Sequence, residues 1–235
     1  MFFDFGNFLL KANSKHYKMK KIIIAGGTGM IGRLIIKNCL ASANIEEVTS
    51  LVRKKTSNNH PKLKEVVVSD FNDYSGQTAL FENVDAAFFC IGVYTGQVPD
   101  AQFRVITVDY ALAFGQALKD NSPKATLCLL SGAGADRTEK SRTSFAKYKG
   151  IAENSISNMN LGRFYAFRPG YIYPVESRKE PNMMYRISRT LYPLIKLMGK
   201  NSSIKSTELA LAMFNVGQNG AKSEVLENRD ILEYV

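Results

Sequence analysis

Long apolar runs, paired cysteines, clustered basic residues and an arginine-rich start are all missing from these 235 residues. Each absence removes a class of function. No stretch of about 18 uninterrupted apolar residues exists, so no membrane-spanning helix is expected. The cysteines number three (Cys39, Cys90 and Cys128). They lie far apart, without metal-ligand spacing, and their odd number argues against a disulfide framework. A reducing, cytoplasmic compartment is the expectation. The two histidines, His16 and His60, sit in the first segment and before a proline, and neither marks a metal site or a catalytic base. In the first eighteen residues Asp4 precedes any basic residue, arginine is absent, and no small-residue cleavage site follows. That pattern fits neither a secretory nor a transit signal. Residues 1–18 read as a tail or short extra helix, with Met19 a candidate start.

The net charge is +10, yet the densest basic run is only Arg53-Lys54-Lys55. No basic groove with interleaved aromatics is visible, so nucleic acid is not an expected partner. A generally basic surface that also binds phosphate is the leading reading, with an acidic-lipid or nucleic-acid surface as the alternative. At 45% hydrophobic and 22% charged residues, the chain fits one globular domain with its own core.

What is present is an alternation of apolar runs with helical patterns, the mark of a doubly wound parallel α/β sheet. Strands are predicted at 20–25, 46–52, 64–70, 85–92, 125–131 and 162–170. Helices are predicted over Met30–Ala41, Pro99–Asp120 and Arg142–Met159. Beyond Gly170 the alternation weakens. Residues 174–205 read as a small helical cap, Thr207–Gly217 as a last helix and Ser223–Leu226 as a short strand. The division is therefore one Rossmann-like domain over 19–235, with a cap or substrate region from about 171.

Directly after the first strand comes Ala25-Gly26-Gly27-Thr28-Gly29-Met30-Ile31-Gly32-Arg33. Its Gly-x-x-Gly-x-x-Gly spacing opens a helix at the first strand–helix turn. There glycines permit positive φ and close approach of phosphates, and exposed N–H groups with the helix dipole favour negative charge. The alternative is a purely structural turn. The end of the second strand selects the dinucleotide: Glu46 and Glu47 begin that strand, whereas Arg53 ends it and suits a 2′-phosphate. NADP(H) is expected over NAD, unless the cations are merely solvated. By position at the strands' C-terminal ends, Asp70 and Phe71 are candidates for the adenine. Cys90, Ile91 and Gly92 are candidates for the nicotinamide ribose.

Together with Leu129–Asp136, Tyr148–Glu153 and Phe167–Pro174, these residues resemble an atypical short-chain dehydrogenase, nearest the Tat-interacting oxidoreductase-like branch. The resemblance spans about residues 20–230. It implies an NADP-binding Rossmann fold, with Ser131 and Lys149 as catalytic and cofactor-binding residues and Pro169, Tyr171 and Ile172 at the carboxamide. It also implies a tyrosine four residues before the lysine, on the same helix face, to move a proton. That position is Phe145. Tyr148, next to Lys149, would point about 100° away on a regular helix and is a doubtful substitute. Tyr94, Tyr171 and Tyr173 are other acid candidates or simple pocket walls. Three functions remain open: an oxidoreductase on an unidentified small carbonyl or alcohol, a non-catalytic NADPH-binding regulatory protein with a protein partner or homodimer, and a sugar-nucleotide epimerase or dehydratase. The cap's Met183, Met184, Tyr185, Leu191, Tyr192 and Met198 read as a substrate or partner surface, or as ordinary core.

Overall fold

The computed structural model describes residues 21–176 and 183–235; the expected tail at 1–18 lies outside them. Apolar side chains on both faces of successive strands leave a sheet no solvent side, and such a sheet needs helices above and below. The central strand, β1 (Lys21–Ala25), shows this directly. Ile22 and Ile24 enter one hydrophobic cluster, and Ile23 and Ala25 enter the other.

Beside β1 run β2 (Glu47–Val52) and β3 (Leu63–Val67) on one side. On the other run β4 (Ala86–Phe89), β5 (Thr126–Leu130) and β6 (Arg163–Arg168). Two short strands follow β6 in sequence before the sheet ends: β7 (Tyr171–Tyr173) and β8 (Ser203–Lys205) pair with each other. The last strand, β9 (Val225–Glu227), closes a seven-stranded parallel sheet of order β3-β2-β1-β4-β5-β6-β9. The order reverses between β1 and β4, whose C-terminal ends, Ala25 and Phe89, lie in register; in open α/β sheets the crevice for a ligand opens at such a reversal.

Helix α1 (Met30–Ala41) buries Ile31, Leu34, Ile35 and Cys39 on one stripe. Across from it, on the same face of the sheet, lies α7 (Ser206–Asn219). The opposite face is covered by α3 (Tyr110–Asn121) and α4 (Ser144–Ser157). The predicted helix over 99–120 is a composite: α2 (Asp100–Arg104), a wider π turn at Val105–Asp109, then α3. Its local pattern is helical throughout, so sequence periodicity alone does not reveal the extra residue in the turn. Asp109 lies there, paired with Arg104 at 3.1 Å, and Tyr110 packs on Phe71.

The predicted cap contains α5 (Met183–Thr190) and α6 (Tyr192–Leu197). It also contributes β8, which the sequence reading placed in a helical region. This three-residue strand exists through its pairing with β7, a long-range contact with no local signature.

The α3–α4 face is held by an aromatic cluster in which Phe114 contacts Phe81 at 5.5 Å, Phe89 at 5.5 Å and Tyr74 at 6.1 Å between ring centroids. Phe114 is fully buried. Phe114→Ala is expected to lower stability by about 3–5 kcal/mol, the cost of losing a large core ring and leaving a cavity; urea unfolding followed by far-UV circular dichroism measures it.

Candidate functional site

The glycine loop is shaped by crowding. Gly26 adopts φ +86°, and a Cβ there would come within 2.7 Å of the Cys90 carbonyl carbon. A Cβ on Gly32 would strike the Gly26 carbonyl, because the first turn of α1 passes directly over the loop. The amide of Gly29 donates to the Gly26 carbonyl at 3.0 Å, and that of Cys90 donates to Ala25 at 2.8 Å. The two loops at the topological reversal are thus locked together. The N-terminus of α1 has no side-chain cap and no acidic residue in its first turn. Its leading N–H groups and the positive end of the helix dipole are therefore not already satisfied by a carboxylate.

Beside this loop opens a cavity of about 670 Å³. Gly29, Met30 and Ile31 form its floor at α1, and Cys90, Ile91 and Gly92 form the wall after β4. Ser131 and Lys149 line it from β5 and α4, and Pro169, Tyr171 and Ile172 line it from the end of β6. Thr28 faces a smaller hollow of about 220 Å³ alongside Arg33. Arg53 lies exposed just past β2, with no ion pair to any described residue. Asp70 is also exposed, and its carboxylate accepts the amide of Asn72 at 2.8 Å.

Two expectations change. Phe71 does not offer its ring to a ligand: it is buried in the core, its centroid 5.7 Å from Tyr110 and 6.5 Å from Tyr74. Val68, Phe71 and Tyr74 turn inward together after β3, which its exposed neighbour Asp70 does not. Tyr148 is likewise not a cavity residue. Its hydroxyl donates to Asp100 at 2.7 Å, on the side of α4 facing α2, and that bond to the carboxylate raises its pKa.

Phe145 does line the cavity, one turn before Lys149. Its ring covers Gly132, where a Cβ would meet the ring edge at 2.6 Å. Tyr94 lines the cavity as well, whereas Tyr173 instead stacks on Tyr192 with centroids 3.9 Å apart. Lys149 donates to the Leu130 carbonyl at 3.0 Å. Burial pulls its ammonium pKa down to about 8, against the opposing charge of Glu153.

The sequence reading missed Glu153. This carboxylate is fully buried, one turn beyond Lys149. Ser131 donates its hydroxyl hydrogen to Oε1 at 2.5 Å. Arg168 donates to both carboxylate oxygens, at 3.0 and 2.6 Å, and Arg137 adds a bond at 2.9 Å. The arginines continue outward to Glu227 and Glu224. The helical spacing of Phe145, Lys149 and Glu153 was the available signal, since residues four apart share a face. With its hydrogen committed to Glu153, Ser131 presents only lone pairs to the cavity. Lys149, whose ammonium is bonded to the carbonyl of the neighbouring Leu130, lines the same cavity.

Burial by itself would raise the Glu153 pKa, but the hydrogen bonds from Arg168, Ser131 and Arg137 outweigh it and hold it below the ordinary 4.5. A carboxylate depressed in the folded state stabilises the fold above its unfolded pKa. That stabilisation is lost as pH falls below about 4.5 toward the lower folded value. Glu153→Gln is expected to destabilise the protein by about 1.5–3 kcal/mol at neutral pH, because it removes charged hydrogen bonds to two part-buried guanidiniums that keep only Glu227 and Glu224. It should also flatten the acid limb of stability; thermal melts between pH 3 and 7 test both.

Comparison with known proteins agrees with this layout. The rat protein HTATIP2 is 25% identical over 91% of this chain and 88% of its own length. The Candida albicans protein FMP52, described as mitochondrial, is 25% identical over 86% of this chain and 90% of its own. Among solved structures, Candida albicans Gre2 in complex with NADPH superposes with a TM-score of 0.67 at 15% identity, covering 88% of this chain and 77% of that one. Bordetella bronchiseptica WbmF in complex with NAD+ gives 0.66 at 14% identity, covering 94% and 78%. The structural likenesses establish the doubly wound Rossmann-like fold. The profile of the NAD dependent epimerase/dehydratase family matches residues 22–202, and the chain belongs to that family.

Proposed function

We propose that this chain binds NADP(H) and acts as a short-chain dehydrogenase-like oxidoreductase on a small carbonyl or alcohol compound. The observation that carries the reading is the crossing of Gly26 and Gly32, where any Cβ would fill the space between loop and helix. A structural turn alone does not need an adjoining cavity lined by a lysine and an uncapped helix start. The residues present suit the dinucleotide. Loop and α1 amides would receive the pyrophosphate, exposed Arg53 a 2′-phosphate, and Lys149 the nicotinamide-side ribose. Gre2, of the same fold, was solved with NADPH.

The dinucleotide, when bound, supplies or accepts the hydride. The protein's part is to orient the substrate and manage one proton. Lys149 is the cationic donor at the cavity wall, and Ser131, fixed by Glu153, accepts a hydrogen bond from a substrate hydroxyl. Apolar Met30, Ile91, Phe145 and Ile172 reduce water access to the same space.

One observation favours a second reading. Phe145 stands where the resemblance implies a tyrosine, and phenylalanine has no proton to give. A protein that holds NADPH without turning it over, as a sensor or regulator, needs no such acid. The epimerase or dehydratase reading has the family's name on its side but no separate feature of this site.

Calorimetry with NADPH and NADH, then turnover across a broad carbonyl and alcohol panel, separates these readings. Tight NADPH binding without turnover selects the regulatory one, and absence of binding to either dinucleotide removes both. Phe145→Tyr is expected to create or raise turnover by restoring the acid.

Arg53→Ala should weaken NADPH by about 1.5–3 kcal/mol, the value of a hydrogen bond to a charged group, and leave NADH nearly unchanged. Equal losses would remove the argument for NADP.

Because burial lowers the Lys149 pKa to about 8, its positive charge is present below that pH and is lost above it. Dinucleotide affinity is therefore expected to fall as pH rises through 8 and beyond, since a bound anion raises the lysine's pKa. Lys149→Met should bind more weakly and lose that limb.

A further inference from the structure

The cap carries a feature that the dinucleotide site does not use. Six of the ten exposed large apolar side chains among the described residues fall within residues 183–198, the stretch that holds α5, α6 and the residues that flank α6. They are Met183, Ile187, Leu191, Leu194, Leu197 and Met198, with exposures from 44% at Leu191 to 82% at Leu197. Five of them follow steps of 4, 4, 3 and 4 residues, the spacing of one helical face. The two helices run on nearly continuously: the amide of Leu191 donates to Ile187 at 2.9 Å, and Leu194 and Ile195 donate to Leu191 at 3.0 Å. The side turned toward the domain is identified by Tyr192, stacked on Tyr173 and 6.4 Å from Tyr171. The apolar row therefore points away from the body of the protein. An exposed apolar row of this extent marks an interaction surface rather than scattered exposure.

Charge selects the occupant. Between Pro181 and Thr207 there are five basic residues (Arg186, Arg189, Lys196, Lys200 and Lys205) and no acidic one. Lys205 is paired with Glu208, while Arg186, Lys196 and Lys200 are exposed along the two helices and the turn after them. A second copy docking face to face would oppose two such cationic surfaces, since an isologous contact meets its own patch. Exposed aliphatic side chains flanked by Lys and Arg, on a helix pair too short to span a bilayer, are the chemistry of an interfacial anchor on anionic lipid. No helix of the described residues is long and apolar enough to cross a membrane. We propose that α5 and α6 dock this protein peripherally on an anionic bilayer, apolar row inward and cations toward the headgroups. Tyr171 lines the cavity and its ring lies 6.4 Å from that of Tyr192 on α6, so docking would bring the cavity close to the membrane surface.

Co-sedimentation of the full chain with sucrose-loaded vesicles tests this without reference to the dinucleotide. Binding is expected to phosphatidylcholine–phosphatidylserine vesicles but not to phosphatidylcholine alone, and to weaken with added salt. The triple variant Leu194→Asp, Leu197→Asp, Met198→Asp should lose on the order of tenfold or more in partitioning, with an unchanged thermal midpoint because these side chains are solvent-exposed. Lys196→Glu with Lys200→Glu should reduce binding with the apolar row intact. The proposal is overturned if the wild type ignores anionic vesicles, or if the triple variant binds them equally well. It is also overturned if light scattering shows a wild-type dimer that the triple variant converts to monomer while neither form binds vesicles, which would assign the face to a second copy.

Discussion

Glu153 holds the site together. It sits on α4, fully buried, and is bonded by Ser131 at the end of β5, Arg137 in the following loop and Arg168 at the end of β6. Three separate segments thus converge on one carboxylate at the C-terminal edge of the sheet. A buried charge without such partners would be strongly destabilising; with them, the pair is neutral enough to keep but costly to break. Arg168 extends the link to Glu227 at the end of β9, which pairs with β6. The alignment of strand ends that forms the cavity wall is therefore tied to ionic contacts as well as to backbone pairing. The hydrogen of Ser131 is spent in this arrangement, so the serine's direction is fixed before any ligand arrives.

The same face of α4 explains the unusual composition of the cavity. Phe145, Lys149 and Glu153 are spaced by four, and they pass from apolar contact with Gly132, through a cation at the cavity wall, to a buried anion. Lys149 lies one turn from Glu153, whose charge favours its ammonium, while burial opposes it. A lysine kept near its titration point by two opposing influences responds to any further charge placed beside it. An anionic group brought close to it would shift that balance toward the ammonium, so binding of such a group and protonation of Lys149 would be coupled.

Much of the fold was legible because local and long-range preferences agree. The apolar runs at 20–25, 46–52 and 125–131 have the composition of strands buried on both faces, and the sheet places them there. The Gly26–Gly32 spacing suggested positive φ and room for phosphate; Gly26 does take φ +86°, and the crossing of loop and helix at Gly32 is what the structure adds. Where the outcome differed, the cause is nonlocal. β7 and β8 exist only because Tyr171–Tyr173 meets Ser203–Lys205 across the intervening residues 174–202. Phe71 was a candidate for the adenine by its position after a strand, but no local pattern reveals Tyr74 and Tyr110 packed against it. Glu153 carried a helical spacing signal, yet its significance depends on Arg168, fifteen residues away on another element.

The cap illustrates why an ambiguous sequence pattern can be resolved by burial alone. The spacing of Ile187, Leu191 and Leu194 is compatible with packing inward or outward, since periodicity fixes a face but not its direction. Tyr192 decides the direction. Its ring is stacked on Tyr173, so it occupies the side facing the domain, and the aliphatic row is left in water. That arrangement is unfavourable for an isolated protein at roughly 25 cal/mol for each Å² of apolar surface that remains exposed. Replacing the aliphatic side chains by polar ones would remove that cost without disturbing the tyrosine stack. Their presence on a cation-flanked helix pair beside the cavity is consistent with a surface whose apolar burial is completed by something outside the domain.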